Sequence, residues 1–155
     1  MRRVSVRGYT LIEILVGLTI IGILFAVGYV GFREFSRRQQ LSGVVKQLKG
    51  DLRLAQAQAL SGQNEGCTSS LDGFSIDILD TQSYEIGAVC LGSPQSKIVN
   101  IPGGVTIASS VDPILFKVLG QGTNIPQGQQ AELTLTQGET GTSAQVFVSY
   151  AGEIK

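Results

Sequence analysis

Histidine and tryptophan are absent from this chain of 155 residues, and proline and cysteine are scarce. Without histidine the chain lacks the commonest general base and a common metal ligand, and no serine, cysteine or lysine has a recognisable base beside it. The sequence therefore predicts no enzyme, no catalytic residues, no metal site and no cofactor. Its 12 basic and 12 acidic residues cancel, so no overall charge attracts nucleic acid.

Charge is missing from the longest apolar run, which extends from Ile14 to Phe32. A helix of that length spans roughly 28 Å, close to the thickness of a bilayer's hydrocarbon core. A cleaved secretory signal, with Ala26-Val27-Gly28 as its cleavage site, and a plain transmembrane anchor both fit this run. Three arginines flank each end, so only the shortness of the N-terminal flank favours a cytoplasmic N-terminus.

Glu13 lies at the edge of this run, and neither interpretation explains it. A carboxylate at the edge of hydrocarbon costs on the order of 1–3 kcal/mol unless it is paired, protonated or snorkelling. A snorkelling interfacial glutamate is the simplest interpretation of this residue taken alone.

Proline does not occur between Met1 and Ser93, so nothing there forces a helix to break. We predict one helix from about Tyr9 to Ser61, apolar nearly all round in its first half and amphipathic in its second, with Gly62 as its stop. The apolar residues of the second half recur at helical spacing: Leu41, Val44, Val45, Leu48, Leu52, Ala55, Ala59 and Leu60.

Beyond Cys67 the apolar period changes to two, which indicates strands separated by glycine-rich turns. Thr134 and Thr136 alternate with leucines, which is typical of a sheet with one solvated face. We predict an α+β fold, with the long helix packed by its apolar stripe on an antiparallel sheet of six or seven short strands. The strand candidates are Phe74–Ile78, Ser83–Leu91, Lys97–Ile101, Gly104–Ala108, Ile114–Leu119, Ala131–Thr136 and Ala144–Tyr150.

The two cysteines, Cys67 and Cys90, both follow the apolar run. If this part is exported, they can form a disulfide, which would contribute roughly 3 kcal/mol in the chain-entropy treatment. Two buried free thiols are the alternative, and the sequence leaves both open.

The carboxylates of the strand region cluster at Asp72, Asp77 and Asp80. Alternation places Asp77 on the polar face of its strand, whereas Asp72 lies in a turn. We interpret them as ordinary solvent-facing acids, with a calcium site as the alternative.

The stretch Gly8-Tyr9-Thr10-Leu11-Ile12-Glu13, after a short basic leader and before the apolar helix, resembles the N-terminus of type IV prepilins and pseudopilins. The resemblance implies cleavage after Gly8 by a membrane prepilin peptidase, which also N-methylates the new terminus at Tyr9, where the family usually has Phe. It implies that Glu13 of one subunit pairs with the Tyr9 amine of a neighbour, which satisfies two costly buried charges.

The resemblance also implies an organisation of the chain: a cytoplasmic leader at 1–8, a transmembrane and filament-core helix at 9–32, its amphipathic continuation at 33–62, and an extracytoplasmic β-rich domain at 63–155. The protein would be a single-pass inner-membrane subunit with a cytoplasmic N-terminus. It would then join a type IV pilus or a type II secretion pseudopilus. Its partners would be the peptidase, other pilin subunits, the membrane and the inner-membrane assembly platform.

The later sequence is similar to the GspH/FimT pseudopilin group in three places: Asp51–Leu60, the segment Phe116 to Gly122, and the ending Gly152-Glu-Ile. Some FimT-like members bind DNA through arginines in the last few residues. Here Glu153 stands where an arginine is expected, so we expect no nucleic-acid partner. A competence-type pilin that binds DNA or another ligand is the alternative function, and a minor pilin or pseudopilin is the leading one.

Overall fold

The computed structural model describes residues 8–62, 66–92 and 95–155, without the side chains of residues 27, 28 and 30. One helix, α1, extends from Leu11 to Ser61. The strands that follow it are β1 (Gly73–Asp80), β2 (Ser83–Val89), β3 (Ser96–Asn100), β4 (Val105–Ser109), β5 (Ile114–Lys117), β6 (Gln130–Gln137) and β7 (Ser143–Ser149).

The end of α1 follows from Gly62. Its φ of 63° is the left-handed conformation that glycine adopts without a Cβ penalty, and its N–H donates to the carbonyl of Gln58 at 3.1 Å. The predicted stop at this glycine therefore has the geometry of a helix C-terminus. The rest of the predicted stop, residues 63–65, lies outside the described residues.

The strands form two antiparallel sheets. The four-stranded sheet has the order β3-β2-β1-β5, and the three-stranded sheet has the order β4-β6-β7. The two sheets adjoin at the turn between β1 and β2, where Thr81 and Gln82 accept backbone hydrogen bonds from Ile107 at 2.8 Å and Ile101 at 2.7 Å. These two backbone hydrogen bonds therefore fix the turn between β1 and β2 in place.

The core lies between the second half of α1 and the inner faces of both sheets. Six residues of the helix, spaced by three or four, are at most 5% exposed: Leu41, Val44, Leu48, Leu52, Ala55 and Ala59. They pack with the alternating apolar residues of the strands, such as Leu133 and Leu135 on β6. Because the helix period of 3.6 and the strand period of 2 both place apolar groups on one side, a single core forms.

The chain divides into two compact units, residues 1–36 and 37–155. The second unit contains the whole core and all seven strands. The first unit contains the beginning of α1.

The predicted α+β class is confirmed, and each strand candidate corresponds to an observed strand within three residues at either end. Three details differ. The strands divide between two sheets, β5 ends at Lys117 because Val118–Gly120 form a 3₁₀ turn with Leu119 at φ 55°, and Leu60 is 52% exposed rather than part of the stripe.

Cys67 and Cys90 form a disulfide, with their Cα atoms 5.8 Å apart. Of the two interpretations left open, the disulfide is therefore the correct one. The bond joins the stretch after α1 to the end of β2, where Thr68 also donates its backbone N–H to the carbonyl of Leu91 at 2.8 Å. The segment between helix and sheet is thereby tied to the four-stranded sheet.

Candidate functional site: the helix N-terminus and its apolar surface

The first turn of α1 is capped by Thr10. Its side-chain oxygen accepts a hydrogen bond from the N–H of Glu13 at 3.4 Å, and its carbonyl accepts one from Ile14 at 3.3 Å. Thr-x-x-Glu is the sequence pattern of a capping box, and an acidic residue in the first turn faces the positive end of the helix dipole. Glu13 therefore has a local structural role that the sequence reasoning missed, although the spacing of Thr10 and Glu13 could have revealed it.

The apolar residues after this turn are exposed. Large side chains between Leu11 and Phe35 are between 46 and 83% exposed in the described chain. The helix is long and apolar enough to cross a membrane by length and composition. Because a buried Leu, Ile or Phe gains about 1.5–3 kcal/mol over an exposed one, burial of this surface would be favourable, and the described residues of this unit do not bury it.

Polar side chains in and beside the apolar run have partners within the helix, so an apolar environment costs them less. The hydroxyl of Thr19 donates to the carbonyl of Val16 at 2.8 Å, so its hydrogen bond is satisfied within the helix. At the far end, the guanidinium of Arg33 lies 5.9 Å from the centre of the Tyr29 ring. An aromatic ring with a cation over it is typical of a membrane–water interface.

The predicted processing residues lie just before the helix. Gly8 and Tyr9 lie outside regular secondary structure and are exposed, Tyr9 at 79%, and a Cβ at Gly8 would meet no atom within 4 Å. The backbone here is thus accessible to a protease. The remainder of the predicted leader, residues 1–7, lies outside the described residues.

The second half of α1 is held on the sheets by polar ties as well as by its apolar stripe. The buried Tyr84 on β2 donates its hydroxyl to Asp51 at 2.6 Å, and burial, helped by this carboxylate, raises the pKa of Tyr84. Gln40 donates to the carbonyl of Gly103 at 3.1 Å, and Arg37 forms an ion pair with Glu139.

The three segments whose sequence suggested a resemblance to the GspH/FimT group meet at one corner of the domain. Gln56 of α1 donates to the carbonyl of Gly152 at 3.0 Å. Gly122 lies so close to Tyr150 that a Cβ would be 2.6 Å from its carbonyl oxygen, and the buried Thr123 donates its N–H to the same oxygen at 2.9 Å. Only glycine fits at Gly122, where φ is also positive at 81°.

The acids singled out in the sequence take different positions. Asp80 closes the turn after β1 by accepting the N–H of Gln82 at 2.6 Å, which lowers the pKa of Asp80. Asp77 lies opposite Glu85 instead, and Asp72 is exposed before β1. Within the described residues no group of three acidic, histidine or cysteine side chains is placed to hold a metal ion.

The C-terminal residues pair with the outer edge of β7. Lys155 and Phe147 exchange backbone hydrogen bonds at 3.0 and 3.2 Å. The ammonium of Lys155 lies 3.3 Å from a carboxylate oxygen of Glu153. The cation of this tail is therefore already next to an acid of the same tail.

Residues 3–29 match the family model of the prokaryotic N-terminal methylation motif. No curated protein and no solved structure matches the chain. With the long N-terminal helix and the antiparallel strands that follow it, the motif supports the type IV prepilin-like family and confirms the resemblance read from Gly8 to Glu13.

The motif has consequences at the level of the class. Family members with this motif are structural subunits rather than enzymes. It implies processing by a prepilin peptidase and assembly with other pilins, and with the apolar helix it is consistent with membrane anchoring. The match ends at residue 29, so it gives no support to the finer likeness to the GspH/FimT group.

Proposed function

We propose that this protein is a structural subunit, a minor pilin or pseudopilin, of a type IV pilus or a type II secretion pseudopilus. The observation that carries the proposal is the combination at the start of α1. Accessible Gly8 and Tyr9 precede a capped first turn that contains Glu13, and an exposed apolar helix surface follows. A plain anchor accounts for the apolar run but not for the motif from Gly8 to Glu13 that precedes it.

Cleavage after Gly8 gives Tyr9 a free α-amine, with an ordinary pKa near 8. Glu13 is four positions after Tyr9, so if the helix extended to the new terminus the two would be roughly 6 Å apart along its axis. When apolar helices pack together and exclude water, an unpaired ammonium and an unpaired carboxylate are both costly. Pairing the Glu13 of one subunit with the N-methylated Tyr9 of its neighbour satisfies both charges and sets the register of adjacent helices.

In this proposal each region of the chain has its own task. Residues 1–8 are the leader that is removed, and residues 9–32 are first a membrane anchor and later the filament core. Residues 33–62 continue the helix and carry residues 63–155, the β-rich domain, outside the cytoplasmic membrane. The subunit is extracted from the membrane by an assembly platform, and its sheet domain is of the GspH/FimT kind. Gln56 donates to Gly152 and the ring of Phe116 lies beside Gly152, so the three segments meet, which supports this last assignment.

The experiment is incorporation of the full-length chain into filaments, in cells that produce the pilus or pseudopilus machinery. The Glu13→Gln variant keeps the size and the capping geometry of the first turn but removes the charge. We expect at least a tenfold loss of protein in the sheared filament fraction, with membrane levels unchanged. The matched control, Glu34→Gln, removes an acid beyond the other end of the apolar run and should leave incorporation intact. Equal incorporation of both variants would refute the proposed role of Glu13.

A further inference from the structure

Charge is divided unevenly within the second compact unit. The helical stretch 37–53 has five cations and one acid, whereas the described residues from 66 onward have three cations and eight acids. A chain with no net charge thus has a basic helix surface and an acidic sheet domain. Opposite surfaces of this kind attract each other between molecules when they do not meet within one molecule.

The basic part of this division lines a groove between α1 and the start of β7, which we call the basic groove. It has a volume of about 520 Å³. Its floor is apolar, and its rim has the cations Lys46 and Lys49, three residues apart on one side of the helix. Neither lysine forms an ion pair with a described carboxylate. The floor consists of Leu41, Val45 and Ala144.

The acidic part lies on the outer surface of the four-stranded sheet, which we call the acidic face. Asp77 on β1 is directly opposite Glu85 on β2, and like charges in this position destabilise a strand pair. Asp112 adds a third carboxylate, held in place by the N–H of Ile78 at 2.9 Å. Partial burial, with Asp112 and then Glu85 nearby, raises the pKa of Asp77. The acidic face is therefore crowded with charge of one sign.

An apolar side chain also belongs to this surface. Ile98 on β3 lies opposite Glu85 in the strand register and is 58% exposed. No lysine or arginine is opposite Asp77 or Glu85 in that register. The acidic face thus presents carboxylates around an apolar group, which complements a groove that presents lysines around an apolar floor.

We propose that the basic groove of one copy of this chain receives the acidic face of a second copy. The two surfaces are different patches, since Asp77 lies on the side of β1 opposite the buried Ile76, away from the helix. Such a head-to-tail contact leaves one groove and one acidic face unused at the ends of each pair. The inference rests on the proposed assembly function and names the contact between neighbouring sheet domains.

The test is cross-linking between two differently tagged full-length copies in the membranes and filaments of cells with the assembly machinery. One copy has Ser42→Cys at the basic groove and the other has Ser75→Cys on β1, two residues from Asp77. A short bismaleimide links free thiols only, so the native disulfide does not take part. We expect a cross-linked pair from these positions. A tenth of that yield or less is expected when the second copy has Thr106→Cys on the exposed face of the other sheet.

Charge reversal shows whether the contact is electrostatic. Lys46→Glu with Lys49→Glu in the first copy should reduce the yield at least fivefold. Asp77→Lys with Glu85→Lys in the second copy should restore it, because the charges are then exchanged. The inference would be overturned if charge reversal left the yield of cross-linked pairs unchanged. It would also be overturned if the original pair gave no more cross-linked product than the Thr106→Cys control. The inference would also be overturned if the two copies did not cross-link and the protein instead bound duplex DNA through Lys46 and Lys49.

A third pair separates this inference from the proposed function. Leu18→Cys in both copies reports helix packing in the apolar segment. Cross-links at Leu18 without cross-links between groove and acidic face would contradict the inference and leave the assembly function standing. Absence of both kinds of cross-link would contradict both.

Discussion

The two halves of helix α1 have opposite relations to the rest of the chain. In the first half, the large apolar side chains are 46 to 83% exposed, whereas six apolar side chains of the second half are at most 5% exposed. Both halves belong to one continuous helix, but the first half is apolar nearly all round and the second is amphipathic. The sheets cover the apolar stripe of the second half, whereas the described residues leave the first half exposed, and we propose that its partner lies outside the chain. Burial is therefore a property of what surrounds a helix as much as of its sequence.

The largest effect should distinguish the halves directly. Leu48→Ala removes a fully buried side chain between α1 and the sheets, and should lower the free energy of unfolding by about 2–5 kcal/mol. Leu24→Ala makes the same change at a side chain that is 67% exposed, and should leave that free energy within about 0.5 kcal/mol. Urea unfolding of the full-length chain in micelles, followed by circular dichroism, compares the two. Equal losses would mean that the first half also packs on the sheets.

The disulfide sharpens the same comparison, because it stabilises only the unit that contains the sheets. Replacing both Cys67 and Cys90 by serine opens a loop with a sequence separation of 23 and should lower the free energy of unfolding by about 3 kcal/mol. Membrane insertion of the first half should not change, since neither cysteine lies in it. Unfolding and carbonate extraction of the same variant measure the two effects. Loss of insertion would contradict the independence of the halves.

The hydrogen bond between Tyr84 and Asp51 is the next smaller contribution. Tyr84→Phe should lower the free energy of unfolding by about 1.5–3 kcal/mol, since the bond ends on a carboxylate. Tyr29→Phe, the same change in the first half, is the matched control and should have no effect on sheet unfolding.

The pH dependence of unfolding has a definite sign for Tyr84. Burial, with Asp51, raises the pKa of Tyr84 in the folded chain above its ordinary value of about 10. Its contribution is therefore complete below pH 10 and decreases as the pH rises above that value, because the unfolded chain releases this proton first. The Tyr84→Phe variant should lose less stability than the parent chain between pH 10 and 11. A parallel decrease in both would contradict the assignment.

The smallest effect concerns the first turn. Thr10→Ala removes the side-chain cap and should weaken the start of α1 by about 1 kcal/mol, so the amide of Glu13 should exchange several-fold faster with deuterium. The unfolding of the sheet domain should be unchanged. Thr19→Ala, within the same apolar run but away from the cap, is the control. Equal exchange of Glu13 in both variants would show that Thr10 is no cap.

Much of the fold could be predicted because helices and strands have characteristic spacings of apolar residues along the sequence. The change from a period of 3.6 to a period of 2 after Cys67 located α1 and all seven strands. The division into two sheets could not be predicted, since it depends on pairings between strands distant in sequence, such as β1 with β5. The tie between Asp51 and Tyr84 was hidden for the same reason, with 33 residues between its ends.

The candidate site was predicted from its motif rather than from its contacts. Gly8, Tyr9 and Glu13 form a recognisable pattern, and their proposed partners belong to a peptidase and to neighbouring subunits rather than to this chain. The cap at Thr10 is the converse case. It is a contact within the chain that the sequence analysis missed, although the Thr-x-x-Glu spacing would have been sufficient to predict it.

The central claim is that the chain is cleaved between Gly8 and Tyr9 and that the membrane, and later neighbouring subunits, cover the first half of α1. The most direct measurement is tandem mass spectrometry of the N-terminal peptide, from protein isolated with the filament fraction of cells that have a prepilin peptidase. We predict a chain that starts at Tyr9 with one methyl group on its α-amine. A chain that starts at Met1, or one cut near Ala26, would contradict the account.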